Sequence, residues 1–210
     1  MMKILIADDH AVVRKGLSQI LLEEFSTAVI EEVDNSEDLI KKAMEGPWDV
    51  IISDLSMPGR SGLDALYQLK EILPDTPVLI MSIHPEEQYA RRLLKAGAAG
   101  YLSKDAATED LAKAVRQVLL GRKYISPAVA QIIADDVAQD RGDKALHESL
   151  SNREFEIFKL IASGMSVSEI ADKLTLSSPT ISTHRARILA KMNMRTNSEL
   201  TRYALNNKLI

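Results

Sequence analysis

Between Lys3 and Gly121, short apolar runs alternate with longer amphipathic stretches, and no other feature of the chain restricts its fold so tightly. The runs fall at residues 3–7, 28–33, 50–53, 78–81 and 100–102. Each is too short for a helix, and at 3–7, 50–53 and 78–81 the Val, Ile and Leu content is that of a strand buried on both faces. The stretches at 12–24, 37–44, 63–73, 87–96 and 109–120 are amphipathic, and in the last Leu111, Val115, Val118 and Leu119 recur at helical spacing. Five βα units of similar length predict an α/β fold, a doubly wound five-stranded parallel sheet with helices on both faces. The pattern does not set the strand order.

Past residue 121 the pattern changes. Ser126-Pro127 reads as the start of one more short helix, to about residue 133, and residues 135–149 lose periodicity and gain charge, as a linker does. Every later segment is helical in pattern. Ser151-Asn152-Arg153-Glu154 and Ser166-Val167-Ser168-Glu169 are capping boxes, each opening a helix. Phe155, Phe158, Ile161 and Ala162 stripe the first of these, and Gly164 stops it. A tight turn at 175–177 leads to Ser178-Pro179 and a longer helix to about Met192. A fourth helix starts near Asn197 and is expected to turn Leu200, Tyr203, Ala204 and Leu205 inward. The expected organisation is a first domain over 1–121, a short helix and linker over 122–149, and an all-α four-helix domain over 150–210.

Charge divides along the same line. Residues 1–140 hold 15 Lys+Arg against 23 Asp+Glu, a net of −8, whereas residues 141–210 hold 11 against 7, a net of +4. An acidic front and a basic back imply different partners, with nucleic acid the natural one for the basic end. The chain has no cysteine, which excludes disulfides and thiolate zinc sites and agrees with a reducing cytosol. No apolar run approaches the length of a membrane span, and the expectation is a cytoplasmic protein.

The polar residues that follow the apolar runs carry the chemistry. Asp8 and Asp9 end the first run, Asp54 the third and Ser82 the fourth, and Lys104 stands just past the fifth. In open α/β sheets ligands bind at that edge. Taken singly, an aspartate after a strand often only caps a helix or makes a turn. Together these residues suggest a pocket for a divalent cation and a phosphoryl group. Three close carboxylates repel unless a cation balances them, and Mg²⁺ suits oxygen ligands beside phosphate. Lys104 would add positive charge and Ser82 a hydroxyl donor, while Asp54, central in the set, is the candidate nucleophile. The lack of a glycine-rich turn after the first run argues against a dinucleotide site. A phosphatase of the haloacid dehalogenase type wants a second aspartate two positions after its nucleophile, where Ser56 stands. With no second acid–base residue in view, an enzyme turning over small phosphate esters is not expected.

Asp8-Asp9, the segment from Asp54 to Pro58, Ser82 and the segment from Gly97 to Lys104 resemble the receiver domain of bacterial two-component response regulators. The tail resembles the LuxR-type helix-turn-helix in Leu150 to Glu154, Gly164, Glu169-Ile170-Ala171, Thr180-Ile181 and His184. Nearly the whole chain is therefore similar to a NarL/FixJ-family response regulator. The resemblance implies a flavodoxin-like receiver in which Asp54 accepts phosphate from a histidine of a partner sensor kinase. Asp8, Asp9 and Asp54 would hold Mg²⁺ with the main-chain carbonyl of Ser56, Ser82 and Tyr101 would form the switch pair, and Pro58 would shape the loop after Asp54. Relatives usually carry a small residue where Ile83 stands, which implies tighter access to the phosphate here. His84 lies near the site and reads as a partly exposed loop residue.

The short helix, tight turn and longer helix match a helix-turn-helix whose second member, residues 178–192, enters the major groove of double-stranded DNA. Ser182, Thr183 and Arg185 are assigned to base edges or nearby phosphates, and Thr180, Arg187 and Lys191 mainly to phosphates, with Ser178 at the start of the same polar face. Some relatives carry lysines in place of Ser182 and Ala186, so the base sequence read is expected to differ from theirs. His184 reads as a packed or capping residue. A domain this small should act as a homodimer on paired half-sites once phosphorylated, with Asn197, Leu200 and Leu205 as candidates for the dimer surface and RNA polymerase as a further partner. The alternative is a dimeric DNA-binding transcription factor whose front domain is only a dimerisation platform, independent of phosphate.

Overall fold

The computed structural model describes residues 1–57, 62–138 and 145–210. The chain divides into two compact units, Met1–Asp140 and Arg141–Ile210.

In the first unit five strands form one parallel sheet: β1 (Lys3–Ala7), β2 (Val29–Val33), β3 (Val50–Asp54), β4 (Val78–Ser82) and β5 (Gly100–Ser103). Their order is β2-β1-β3-β4-β5, so the winding reverses between β1 and β3. The helices between them are α1 (Ala11–Glu24), α2 (Ser36–Met44), α3 (Gly62–Ile72), α4 (Glu86–Lys95) and α5 (Ala107–Leu119). Alternation along each strand sorts the core into two layers. Ile4, Ile6, Ile52, Met81 and Leu102 pack with Leu17 and Leu21 of α1 and with Leu111 and Val115 of α5. Leu5, Ile51, Ile80 and Tyr101 face the other way, toward Leu39 of α2, Leu66 and Leu69 of α3 and Leu93 of α4. Burying both faces is why β1, β3 and β4 read as apolar runs, whereas the edge strand β2 carries Glu31 and Glu32.

Several boundaries depart from the sequence reading, and β4 and β5 each end one residue later than predicted, at Ser82 and Ser103. β3 extends one residue further than predicted, so that Asp54 is itself its last residue. The helix predicted to end near residue 133 continues as α6 (Pro127–Ala138), so the linker does not begin at residue 135. Charge alone does not stop a helix, and neither glycine nor proline follows Pro127 before Ala138. Val129 and Ile133 of α6 join the core layer on the α4 side, and the Ser126 hydroxyl donates to the Glu86 carboxylate at the start of α4. Gly100 makes room for this return. A Cβ there would lie 2.7 Å from the Tyr124 carbonyl and 2.9 Å from Leu79.

The second unit is helical: α7 (Asn152–Ala162), α8 (Val167–Leu174), α9 (Ser178–Lys191) and α10 (Asn197–Asn206). Both predicted capping boxes are made, and a third, Thr196 with Glu199, opens α10. Between α8 and α9 the backbone passes through the left-handed region at Thr175 (φ 53°), and Ser177 caps α9. Phe155, Phe158, Ile161, Ile170, Ile181, Ile188 and Met192 are buried together with Leu200 and Ala204. Leu205, expected to face inward, is instead 58% exposed.

Candidate phosphoacceptor pocket and nucleic-acid interface

Register places the pocket. Ala7 pairs with Ser53, so the residues that follow, Asp8 and Asp54, come side by side where the winding reverses. Asp8 and Asp54 are buried and Asp9 half-buried. Lys104, in the single turn after β5, reaches between them: its Nζ lies 2.7 Å from Asp8 Oδ2 and 2.8 Å from Asp54 Oδ2. The other oxygen of Asp54 accepts from the Ser56 amide at 3.2 Å. Burial pushes the Asp54 carboxyl up, with the Asp8 charge adding to it, and Lys104 pulls the other way. Burial acts to lower the Lys104 ammonium, yet Asp54 and Asp8 together hold it above its usual value.

A histidine joins the acidic set. Donor atoms of Asp8, Asp9, His10 and Asp54 all lie within 4.8 Å of one another. His10 Nδ1 is 2.7 Å from Asp9 Oδ1, and its amide donates to Asp8 Oδ1 at 2.8 Å. Carboxylate oxygens at this spacing suit a hard divalent cation.

The two residues of the expected switch pair meet at one point. Ser82, fully buried at the end of β4, accepts from the His84 amide at 3.0 Å. Tyr101, buried on β5, donates from its hydroxyl to the His84 carbonyl at 2.6 Å. The His84 ring stacks on Tyr89 of α4 with centroids 5.1 Å apart and lies 3.4 Å from Ser56 Oγ. A residue read as a loop position thus connects the acceptor loop, the switch pair and α4. Ile83 beside it is 71% exposed, and Pro58 lies outside the described residues.

Sequence reasoning also passed over Gly62, where a Cβ would come within 2.4 Å of the Leu55 carbonyl, directly behind Asp54. A lone glycine opening a helix gives little signal in a sequence. Arg14 was missed too; it donates to the Asp8 carbonyl at 2.6 Å.

On α9, Ile181 and Ile188 are buried, while Ser178, Ser182, Thr183 and Arg187 are exposed on the other side. Four of the assigned contacts are engaged within the protein, Thr183 among them through its bond to the Pro179 carbonyl. Thr180 Oγ1 lies 2.7 Å from Ser177 Oγ at the cap. Arg185 Nε donates to Asn197 Oδ1 at 2.7 Å. Lys191 Nζ sits 2.6 Å from the Glu154 carboxylate, which is buried in the capping box of α7. His184 is half-buried, and burial lowers its pKa. Leu200 cannot belong to a dimer surface, because it is completely buried in this unit.

Both units match known protein families. Residues 4–116 match the family described as response regulator receiver domain, and residues 148–204 match the bacterial regulatory proteins of the luxR family. The chain is 38% identical over 210 residues to the response regulator GacA of Pseudomonas aeruginosa, covering 100% of this chain and 98% of that one. It is 40% identical over 215 residues to the oxygen regulatory protein NreC of Staphylococcus carnosus, covering 100% and 99%. Among solved structures it is similar to RcsB of Salmonella enterica serovar Typhimurium bound to promoter rprA with the phosphomimetic BeF3⁻ (27% identity, TM-score 0.65, 97% and 98% covered). The chain belongs to the NarL/FixJ family and is a two-component response regulator, a receiver domain followed by a LuxR-type helix-turn-helix DNA-binding domain.

Proposed function

We propose that phosphorylation of Asp54 by a partner histidine kinase switches dimerisation and sequence-specific DNA binding. The observation that carries this reading is the buried Asp54 carboxylate held between the Lys104 ammonium and the Ser56 amide. One Asp54 oxygen attacks the phosphorus of a phosphohistidine; the O–P bond forms as the P–N bond breaks, and the electron pair returns to the imidazole. Lys104 takes up negative charge on the phosphoryl oxygens. Ser82, which already accepts from the His84 amide, has its own O–H to donate to them. Asp8, Asp9 and Asp54, with the Ser56 carbonyl, would hold Mg²⁺, which when bound neutralises charge on the transferring group.

The acyl phosphate adds nearly two negative charges at the end of β3. If Ser82 turns toward them, the His84 amide loses its acceptor, and Tyr101 and Tyr89 hold the same residue. That connects the chemistry to α4, and α6 packs in the same core layer. Pairing of two copies would then set two α9 helices on two half-sites of duplex DNA, where RNA polymerase is a further partner. Work on duplex DNA assigns the protein to the cytoplasm; among the described residues no helix is long and apolar enough to cross a membrane.

Incubation with phosphoramidate and Mg²⁺ followed by intact-mass measurement tests the reading. One phosphoryl group should add to the wild type and none to Asp54→Asn. Equal labelling of both proteins would refute it.

A further inference from the structure

We infer that α9 reads thymine methyl groups, so that its operator half-sites are defined by thymine positions. This rests on the DNA-binding reading above and names what that site recognises. The face of α9 opposite buried Ile181, Ile188 and Met192 presents Pro179, Ser182, Thr183, Ala186 and Ala190, all exposed and spaced three, four and seven residues apart. Arg187, at the edge of this face, is its one charged residue. Thr183 spends its hydroxyl proton inside the helix, donating to the Pro179 carbonyl at 3.0 Å. What it has left for a groove is a methyl group and lone pairs.

The long cationic side chains are held at the flanks. Arg185 is fixed on one side through Asn197, at 2.7 Å, and Lys191 on the other through Glu154, at 2.6 Å. Arg187 is exposed at the border of the face. Guanine is read in the major groove chiefly by two hydrogen bonds from Arg or Lys, and adenine by Asn or Gln. Arg187 at the edge aside, the outward face of α9 offers neither. A surface of Thr and Ala methyls matches the one apolar group in the major groove, the 5-methyl of thymine. Ser182 supplies a hydroxyl that accepts or donates and so discriminates weakly. The cations act on phosphates, which set affinity and register but not sequence.

The test needs no knowledge of the natural operator. Full-length protein treated with phosphoramidate selects duplexes from a random pool, and each thymine of the selected half-site is replaced in turn by deoxyuridine. At one or two positions per half-site, loss of the methyl alone should weaken binding about three- to fivefold. Thr183→Ser keeps the hydroxyl and removes the methyl, and should abolish the difference between thymine and uracil at one of those positions. Arg187→Ala should weaken thymine and uracil duplexes equally and reduce the salt slope by about one. If every uracil duplex binds like its parent while Arg187→Ala still weakens binding, DNA recognition stands and methyl reading falls. If no duplex is enriched, the DNA-binding reading falls, and this inference with it.

Discussion

Lys104 Nζ lies 2.8 Å from Asp54 Oδ2, so the buried Asp54 carboxylate is held by a cation of the chain itself. The same ammonium serves Asp8, and the side chain is only 13% exposed. Lys104→Met would leave two buried carboxylates uncompensated, at a cost of about 2–4 kcal/mol in metal-free buffer. Added Mg²⁺ should raise the melting temperature of this variant more than that of the wild type, because binding to the folded state stabilises by mass action. Melting curves with chelator and with Mg²⁺ check this. Identical Mg²⁺ responses would count against a shared cation site.

Gly62 should prove intolerant. Its Cβ would press on the Leu55 backbone, whose amide and carbonyl are both already bonded. Gly62→Ala is expected to cost about 1–3 kcal/mol, as overpacking does, and to slow labelling of Asp54 by displacing the chain behind it. Urea denaturation and the rate of phosphoramidate labelling report the two effects separately.

Tyr101→Phe removes one hydroxyl and leaves the His84 carbonyl without that donor. About 1 kcal/mol of stability should be lost. Amide exchange should quicken at His84 and at the start of α4, with β1 and β3 unaffected. Faster exchange spread over the whole sheet would mean that the bond is not a local latch.

The Glu154–Lys191 pair predicts a dependence on acid. Burial acts to raise the Glu154 carboxyl, but Lys191 and Ser151 hold it below the usual 4.5. A carboxyl depressed in the folded state contributes stability that is full above pH 4.5 and is lost as pH falls through the lower folded value. Lys191→Met should therefore destabilise the second unit by about 1–2 kcal/mol at pH 7, a discounted figure because the lysine is partly exposed. The gap from the wild type should close below pH 4.5, as Glu154 becomes neutral in both proteins. Chemical denaturation across that range reads it directly.

Much of the fold was legible because buried parallel strands leave a plain signature: Ile4 to Ala7 and Val50 to Ile52 are apolar on both faces, and the sheet has them side by side. The acidic site was legible for a related reason, since each of its residues follows such a run. What escaped the sequence were relations set by tertiary packing. Nothing near Asn197 in sequence says that it will hold Arg185, twelve residues earlier. Leu200 and Leu205 are alike as residue types, yet one is buried and the other exposed, because α10 turns only one side to α7. The length of α6 was underestimated because its far end is charged, while what holds it is apolar contact near its start, at Val129 and Ile133.

The most direct test of the switch is the affinity of full-length protein for a selected, fluorescently labelled duplex, measured by anisotropy with and without phosphoramidate and Mg²⁺. Wild type should bind roughly tenfold or more tightly after treatment, the coupling of an ordinary two-state regulator, and Asp54→Asn should not change. Equal responses from the two proteins, or a wild type indifferent to the donor although Asp54 is labelled, would contradict it.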